Sequence, residues 1–427
     1  MKNFKVFFLT VFLFYFVANY SLGWAESSVE EELKAMKAQL ELIQKKFSVL
    51  EETVAKQQSQ ITAQEETRRA NETRIKDLEE QLANKEGRLG SSASAVRPPA
   101  TKWIPEIGVV ADAVYTQNSS KADTEGSDRL SLRELELVFG SAVDPFSRLD
   151  ATISFSDTEN PSLEEAYLTR FGLPADTTAR LGKFKPKVGK ALPVHRDSLD
   201  TVDEPLVIQK YFGVEGMNKS GLDFSKTLNL PLPVTQQVSF GILEGGNGDG
   251  GTAFGATRRR PTLYSHLKNY LDITPTTGFE LGFSHMIGAQ DPDRNFKVQV
   301  LASDITLTHN FNANQNMKIQ GEVFNLNRRE TVNLDGSLWG SYGLVDFRFH
   351  PRWSVGFRYD NVQLVDNPVV NPQKEDVGYT GYLTFYETEF ARYRAQFTHQ
   401  DLATGKDDNA VYLQGTFAIG EHKHKLQ

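Results

Sequence analysis

From about Trp103 to its end, this 427-residue chain is written in period two, and its turns keep a rhythm of their own. In Trp353–Tyr359, Trp353, Val355, Phe357 and Tyr359 share one face, and Ser354, Gly356 and Arg358 share the other. In Ala391–Phe397, Ala391, Tyr393, Ala395 and Phe397 alternate with Arg392, Arg394 and Gln396. Such alternation specifies extended strands with one apolar and one polar face. Sixteen segments read this way: 103–116, 129–141, 147–156, 162–171, 177–185, 218–228, 234–243, 262–273, 277–286, 297–310, 315–326, 337–350, 352–362, 376–386, 389–399 and 409–419. Every second connection is short, as at Ala142–Phe146, Thr274–Thr276 and Pro351. Those between are mostly longer and polar, as at Gln117–Asp128, Pro186–Met217 and Gln363–Glu375. An even strand count, short turns at one end and long loops at the other describe an outer-membrane β-barrel. A secreted sandwich or propeller would not need this short–long rhythm. The fold class is therefore an all-β transmembrane barrel of about 16 antiparallel strands. Trp103, Tyr115, Tyr167, Phe171, Trp339, Trp353, Tyr359 and Phe385 fall near strand ends, where aromatic girdles belong.

The first hundred residues have another texture. Lys2 and Lys5, an apolar run from Val6 to Ala18, and the small-x-small exit Gly23-Trp24-Ala25 describe a secretory signal peptide, residues 1–25. Residues 26–89 then read as an N-terminal α-helical coiled coil. One seam runs through Leu33, Leu40, Phe47, Val54 and Ile61; the other carries Met36, Ile43 and Leu50. Such a stalk would be about 85 Å long at 1.5 Å per residue. Its polar middle (Gln57, Gln64, Arg68, Asn71) does not decide between dimer and trimer. A linker at 90–101 ends in Pro98-Pro99, the barrel takes 102–420, and 421–427 is a tail. Zero cysteine excludes disulfides, thiolate metal sites and cysteine nucleophiles. A net charge of −8 argues against a nucleic-acid partner.

Three short motifs carry a family resemblance: Leu163-Glu-Glu-Ala-Tyr167, Arg180-Leu-Gly-Lys-Phe-Lys-Pro186 and Tyr211-Phe-Gly-Val-Glu-Gly216. With the export signal and stalk, they resemble the phosphate-selective porin (O/P-type) superfamily over roughly Trp103 to the C-terminus. The resemblance implies a trimeric 16-stranded porin whose third external loop folds inward, and which conducts anions past lysines and arginines. Two features depart from that pattern. The chain continues past its last strand through Gly420–Gln427, and no continuous basic ladder is evident.

The third long connection, Pro186–Met217, is the one the resemblance makes the constriction. Its approach is basic, with Arg180, Lys183, Lys185, Lys187 and Lys190, then His195 and Arg196; it turns acidic at Asp197, Asp200, Asp203 and Glu204 before Lys210. Rings of basic side chains favour anions and rings of carboxylates favour cations. Opposed clusters of the two signs would orient polar solutes. Alternation puts Arg180 in the lumen and Lys183 on the Leu181 face unless a bulge intervenes. Arg348, Arg358, Arg392 and Arg394 should be lumenal too, because charge on the lipid face costs roughly 2–4 kcal/mol at mid-bilayer. After residue 100 the chain holds 33 Lys and Arg against 41 Asp and Glu, so selectivity would depend on the constriction and not on the sum.

The remaining constellations are read conservatively. Gly245–Gly251 reads as a flexible loop tip, Arg258–Arg260 as a solvated charge run, and His422 and His424 as tail residues. Glu164 and Glu165 are strand neighbours, expected on opposite faces. No enzymatic activity, metal or cofactor is called for. The expected partners are outer-membrane lipid and lipopolysaccharide, further copies of the chain as a homotrimer, and small hydrophilic solutes. The competing reading makes the barrel an anchor whose stalk tethers the membrane to the cell wall or to a periplasmic partner.

Overall fold

The structure, a computed structural model, describes residues 105–420 apart from 120–127, 158–159, 229, 232, 257, 292–295, 332–333, 366–374, 404 and 406. The expected signal peptide, stalk, linker and tail, and Trp103, lie outside the described residues.

All sixteen expected strands form, with small shifts at their ends. They are β1 (Glu106–Asn118), β2 (Arg129–Asp144), β3 (Ser147–Phe155), β4 (Ser162–Leu173), β5 (Thr177–Phe184) and β6 (Lys219–Leu228). Next come β7 (Thr235–Leu243), β8 (Thr262–Thr274), β9 (Thr277–Ala289), β10 (Lys297–Asn312) and β11 (Gln315–Thr331). The set ends with β12 (Leu334–His350), β13 (Trp353–Gln363), β14 (Glu375–Thr388), β15 (Ala391–Asp401) and β16 (Asp407–Gly420). Each pairs antiparallel with its sequence neighbours, and β1 pairs β16 from Gly108↔Gly420 to Asn118↔Ala410. Closure leaves no unpaired edge, the condition for crossing a bilayer with strands.

The period-two code decides which side chain faces where. On β13 the apolar Val355, Phe357 and Tyr359 stand exposed on the outer wall, and Ser354, Arg358 and Asp360 are buried inside. Near the short turns, outward rings touch in pairs: Phe311–Phe347 (5.9 Å), Trp353–Phe385 (4.7 Å) and Tyr393–Phe417 (5.7 Å). Tyr167 departs from the girdle reading. It pairs in register with Gly182, packs edge-on to the buried Phe184 and faces inward.

Beyond the irregularities beside the hairpin ends, two bulges among the described residues break the alternation. Register shifts between Asp112 and Ala113 on the β1–β2 pair, and between Thr152 and Ile153 on the β3–β4 pair. At the second, Thr152 pairs Glu165 while Ile153 pairs Leu163, so Glu164 is the extra residue. Both Glu164 and Glu165 are consequently buried inside. This corrects the expectation of opposite faces, because a bulge cancels one step of the period.

The barrel encloses a core of its own, built largely by residues 185–218 between β5 and β6. Within them α1 (Leu206–Tyr211) starts at Pro205, where a missing N–H costs nothing, and buries Leu206, Val207, Ile208 and Tyr211. Phe184, Leu192, Phe212 and Met217 join them against Met286, Val300, Phe324, Tyr342, Leu344 and Val362 of the wall. Phe212 meets Phe324 edge-on at 5.7 Å. The glycine-rich stretch after β7 is likewise no free tip. Gly248 N–H donates to the Phe212 carbonyl (2.8 Å) and Ala253 N–H to that of Tyr211 (2.8 Å). A Cβ on Gly248 would stand 2.0 Å from the Gly216 carbonyl oxygen, so glycine there serves close packing.

Candidate functional site

The connection from Lys185 to Asn218 crosses the lumen and is tied to the wall by its own charges and by its backbone. Arg180, at its foot on β5, grips Asp223 of β6 through Nε (3.1 Å) and Nη2 (3.2 Å). Lys187 approaches the same carboxylate at 3.5 Å. Lys190 pairs with Glu280 of β9 at 2.5 Å. Further along, Asp200 takes Lys318 of β11 at 2.5 Å. Asp203 takes Arg358 of β13 at 3.1 Å and accepts from Gln396 Nε2 at 2.6 Å. Lys210 closes the series on Asp376 of β14 at 3.2 Å. Backbone groups add ties: Val202 N–H to Gln396 Oε1 (2.7 Å), Leu206 N–H to Asp360 Oδ1 (3.0 Å) and Ala191 N–H to Glu322 Oε1 (2.6 Å).

Basic and acidic halves therefore do not confront one another across open water; most are matched with opposite charges on the wall. Lys185 is buried and donates to the carbonyls of Val194 (2.8 Å) and Glu215 (3.1 Å). Arg196 pairs with the Glu215 carboxylate at 2.9 Å. The Asp197 carbonyl accepts from Arg392 Nη2 at 2.5 Å. Lys183 stands apart. β5 keeps unbroken register from Ala179 to Lys183 on both sides, so Lys183 shares the outer face of Leu181, and its Nζ reaches the Leu163 carbonyl.

The four strand arginines all point inward. Arg358 is 1% exposed and donates to Asp360 (2.7 Å), to both the carboxylate and the carbonyl of Asp203, and to Thr201 Oγ1. Arg394 donates to Thr384 (3.0 Å) and Gln414 (3.2 Å) and lies over the Tyr382 ring. Arg392 donates also to Thr416, and Arg348 lies 4.2 Å from the Tyr386 ring centre. Between loop and wall lies a cavity of about 170 Å³ lined by Lys190, Asp200, Lys318, Gln320, Tyr342 and Arg358, among others.

Two loop carboxyls illustrate the electrostatics. Burial pushes Asp200 up, but Lys318 beside it holds the carboxyl below its usual range. Burial drives Glu204 the other way, up to about 7, and neither of its oxygens has a hydrogen-bond partner among the described residues.

A second cluster lies where the loop meets β2 and β4. His195 Nε2 stands 3.1 Å from Glu165 Oε2, and its Nδ1 lies 3.3 Å from Glu164 Oε2 and 3.5 Å from Glu136 Oε1. Glu134 is buried beside them. Burial alone would lower the His195 pKa, but the three glutamates hold it well above its ordinary value. Glu134 and Glu136 alternate with Leu135 and Leu137, but nothing local marked them as neighbours of His195. Asp223, Lys318 and Asp360 likewise each alternate with an outward apolar neighbour, but nothing local named their loop partners.

The fold is that of the outer-membrane porins. The structure resembles Pseudomonas putida OprB in its high-pH form (TM-score 0.52, 8% identity) over 74% of this chain and 94% of that one. It also resembles an anion-selective porin from Comamonas acidovorans (TM-score 0.51, 9% identity) over 74% and 99%. At such identities the likeness concerns architecture alone. By sequence, an uncharacterized protein of Aquifex aeolicus (strain VF5) is 26% identical over 397 residues, 79% of this chain and 82% of that protein. No protein-family model matches the chain.

Proposed function

We propose that this chain is an outer-membrane porin of the phosphate-selective type, which passes small hydrophilic solutes by diffusion and prefers anions. The observation that carries the reading is the loop at 185–218, folded into a closed barrel and held on the wall by paired charges. A loop so held narrows a lumen without sealing it by chance collapse, and its polar face at Lys190, Asp200, Lys318 and Arg358 borders a cavity. The porin fold of the structures named above supports the same reading.

Anion preference rests on Arg348, Arg392 and Arg394. Their hydrogen-bond and ring partners are neutral: tyrosine rings, hydroxyls, an amide and a backbone carbonyl. Their positive charge is offset only at longer range, by Asp112 and Asp197 near Arg392 and by Asp200 near Arg392 and Arg394, and not by a direct ion pair like those of Lys190 and Arg358. In this reading the short turns face the periplasm, lipid and lipopolysaccharide surround the outer wall, and three copies associate. In the same reading residues 1–25 export the chain and residues 26–89 are a periplasmic coiled coil.

The test is single-channel conductance of the refolded chain in a planar bilayer, with the zero-current potential under a salt gradient. A steady open channel with an anion-side potential is expected. Folded protein without a channel overturns the porin reading, and a cation-side potential overturns the anion preference.

A further inference from the structure

The glutamate–histidine cluster where the loop meets β2 and β4 is not needed to close the barrel, and it is costly. Three buried carboxylates, Glu136, Glu164 and Glu165, surround one imidazole, and a fourth, Glu134, is buried against Glu164. Lys185 Nζ also donates to backbone carbonyls and Arg196 also pairs with Glu215, so even with Lys185 acting on Glu164, Arg196 on Glu134 and the imidazole itself, four carboxylates face three cations. Buried charge without compensation is strongly unfavourable. Independently, Glu134 Oε2, Glu136 Oε1 and Glu164 Oε1 are buried with no hydrogen-bond partner among the described residues.

The geometry points to a ligand. One donor atom each from Glu136, Glu164 and His195 lies within 4.8 Å of the others. The Nδ1–oxygen separations of 3.3 and 3.5 Å are long for a charge-assisted hydrogen bond. They match the edge of a tetrahedral zinc site, about 3.3 Å when each donor is about 2.0 Å from the metal. Glu165 sits on the far ring nitrogen, where a carboxylate customarily fixes the tautomer of a metal-binding histidine. Two carboxylates and an imidazole suit a first-row transition cation, whereas calcium and magnesium take oxygen donors alone.

We propose that Glu136, Glu164 and His195 Nδ1 bind a divalent transition cation of the zinc class, with Glu165 orienting the histidine. Such an ion would rivet the inward loop to β2 and β4. It would take the place of the proton on the imidazole, so binding would release protons.

The test uses the full mature chain, refolded in detergent, loaded with Zn²⁺, desalted and analysed for metal. One zinc per chain is expected. Uptake should vanish in the Glu136→Gln/Glu164→Gln chain and persist in a His422→Ala/His424→Ala chain, which removes the tail histidines. The expected signature of Glu165→Gln, which leaves every donor in place, is roughly tenfold weaker binding. This last variant decides the matter if the double variant fails to fold, as judged by heat-modifiable gel mobility. No zinc on the wild-type chain, full uptake by the folded double variant, loss in the tail variant, or unchanged affinity in Glu165→Gln would each overturn the site. Conductance plays no part in these readouts, so the result stands apart from the porin reading.

Discussion

Replacing Arg358 by alanine should release the tip of the inward loop. One guanidinium, 1% exposed, supplies four hydrogen bonds: to Thr201 Oγ1, to the Asp203 carbonyl and carboxylate, and to Asp360 Oδ2. Asp360 in turn accepts from Leu206 N–H, the first residue of α1. Alanine leaves Asp360 buried without its cation and Asp203 with only the neutral Gln396 amide on the wall. Removing one member of a buried pair costs roughly 3–5 kcal/mol, comparable to a sizeable part of a domain's stability. Sixteen paired strands remain, so the penalty is relieved most cheaply when residues 200–206 leave the wall and water reaches the stranded carboxylates. The expected result is a folded barrel with higher single-channel conductance, noisier open current and a lower unfolding midpoint. Arg358→Lys should fall between, because an ammonium keeps the charge but cannot span the same acceptors. Adding Asp203→Asn to Arg358→Ala should restore part of the lost stability. Unchanged conductance and midpoint in folded Arg358→Ala would refute the account of how the loop is held.

Other outcomes follow from the same network of contacts. Glu204, with its carboxyl pushed up to about 7 by burial, costs stability once ionised: the penalty is absent below about pH 4.5, grows as pH rises and is complete above about 7. The stability of Glu204→Gln relative to wild type should therefore be greater at about pH 8 than at about pH 4, by on the order of 3 kcal/mol; no pH dependence in that difference would count against it. Asp200→Asn should move the zero-current potential toward anions and Lys318→Gln toward cations, since each leaves its partner's charge bare beside the cavity; equal potentials would place that pair outside the conducting path. Gly182→Ala should impair folding, seen as loss of the heat-modifiable band, because φ is +139° there and a Cβ would lie 2.1 Å from the Ala166 carbonyl oxygen.

The wall of this protein was legible in its residues and the contents of its lumen only in outline. Period two placed the strands and turned Arg348, Arg358, Arg392 and Arg394 inward, because each is flanked by outward apolar groups. The same rule misplaced Glu164, since a bulge depends on which partner residue is skipped, and pairing is not local; Tyr167 was assigned to the girdle from its nearness to a strand end, which does not fix the face it takes. The loop's charges were visible as a sequence run. Their partners were not, because Lys318 lies 118 residues from Asp200 and Gln396 lies 193 from Asp203. Charge complementarity across such distances is fixed by the curvature of the closed sheet, which no window of sequence contains.

The packing of the glycine-rich stretch after β7 on the end of α1 has a bearing on how this protein can diverge. External loops of a barrel ordinarily accept insertions, since their backbone answers only to water. Here the Gly248 and Ala253 amides answer to Phe212 and Tyr211. Two loops that are separate in the chain are thus a single unit of inheritance. A residue gained in one must be matched in the other, and any lineage that remodels the stretch after β7 shifts the inward loop in the same step.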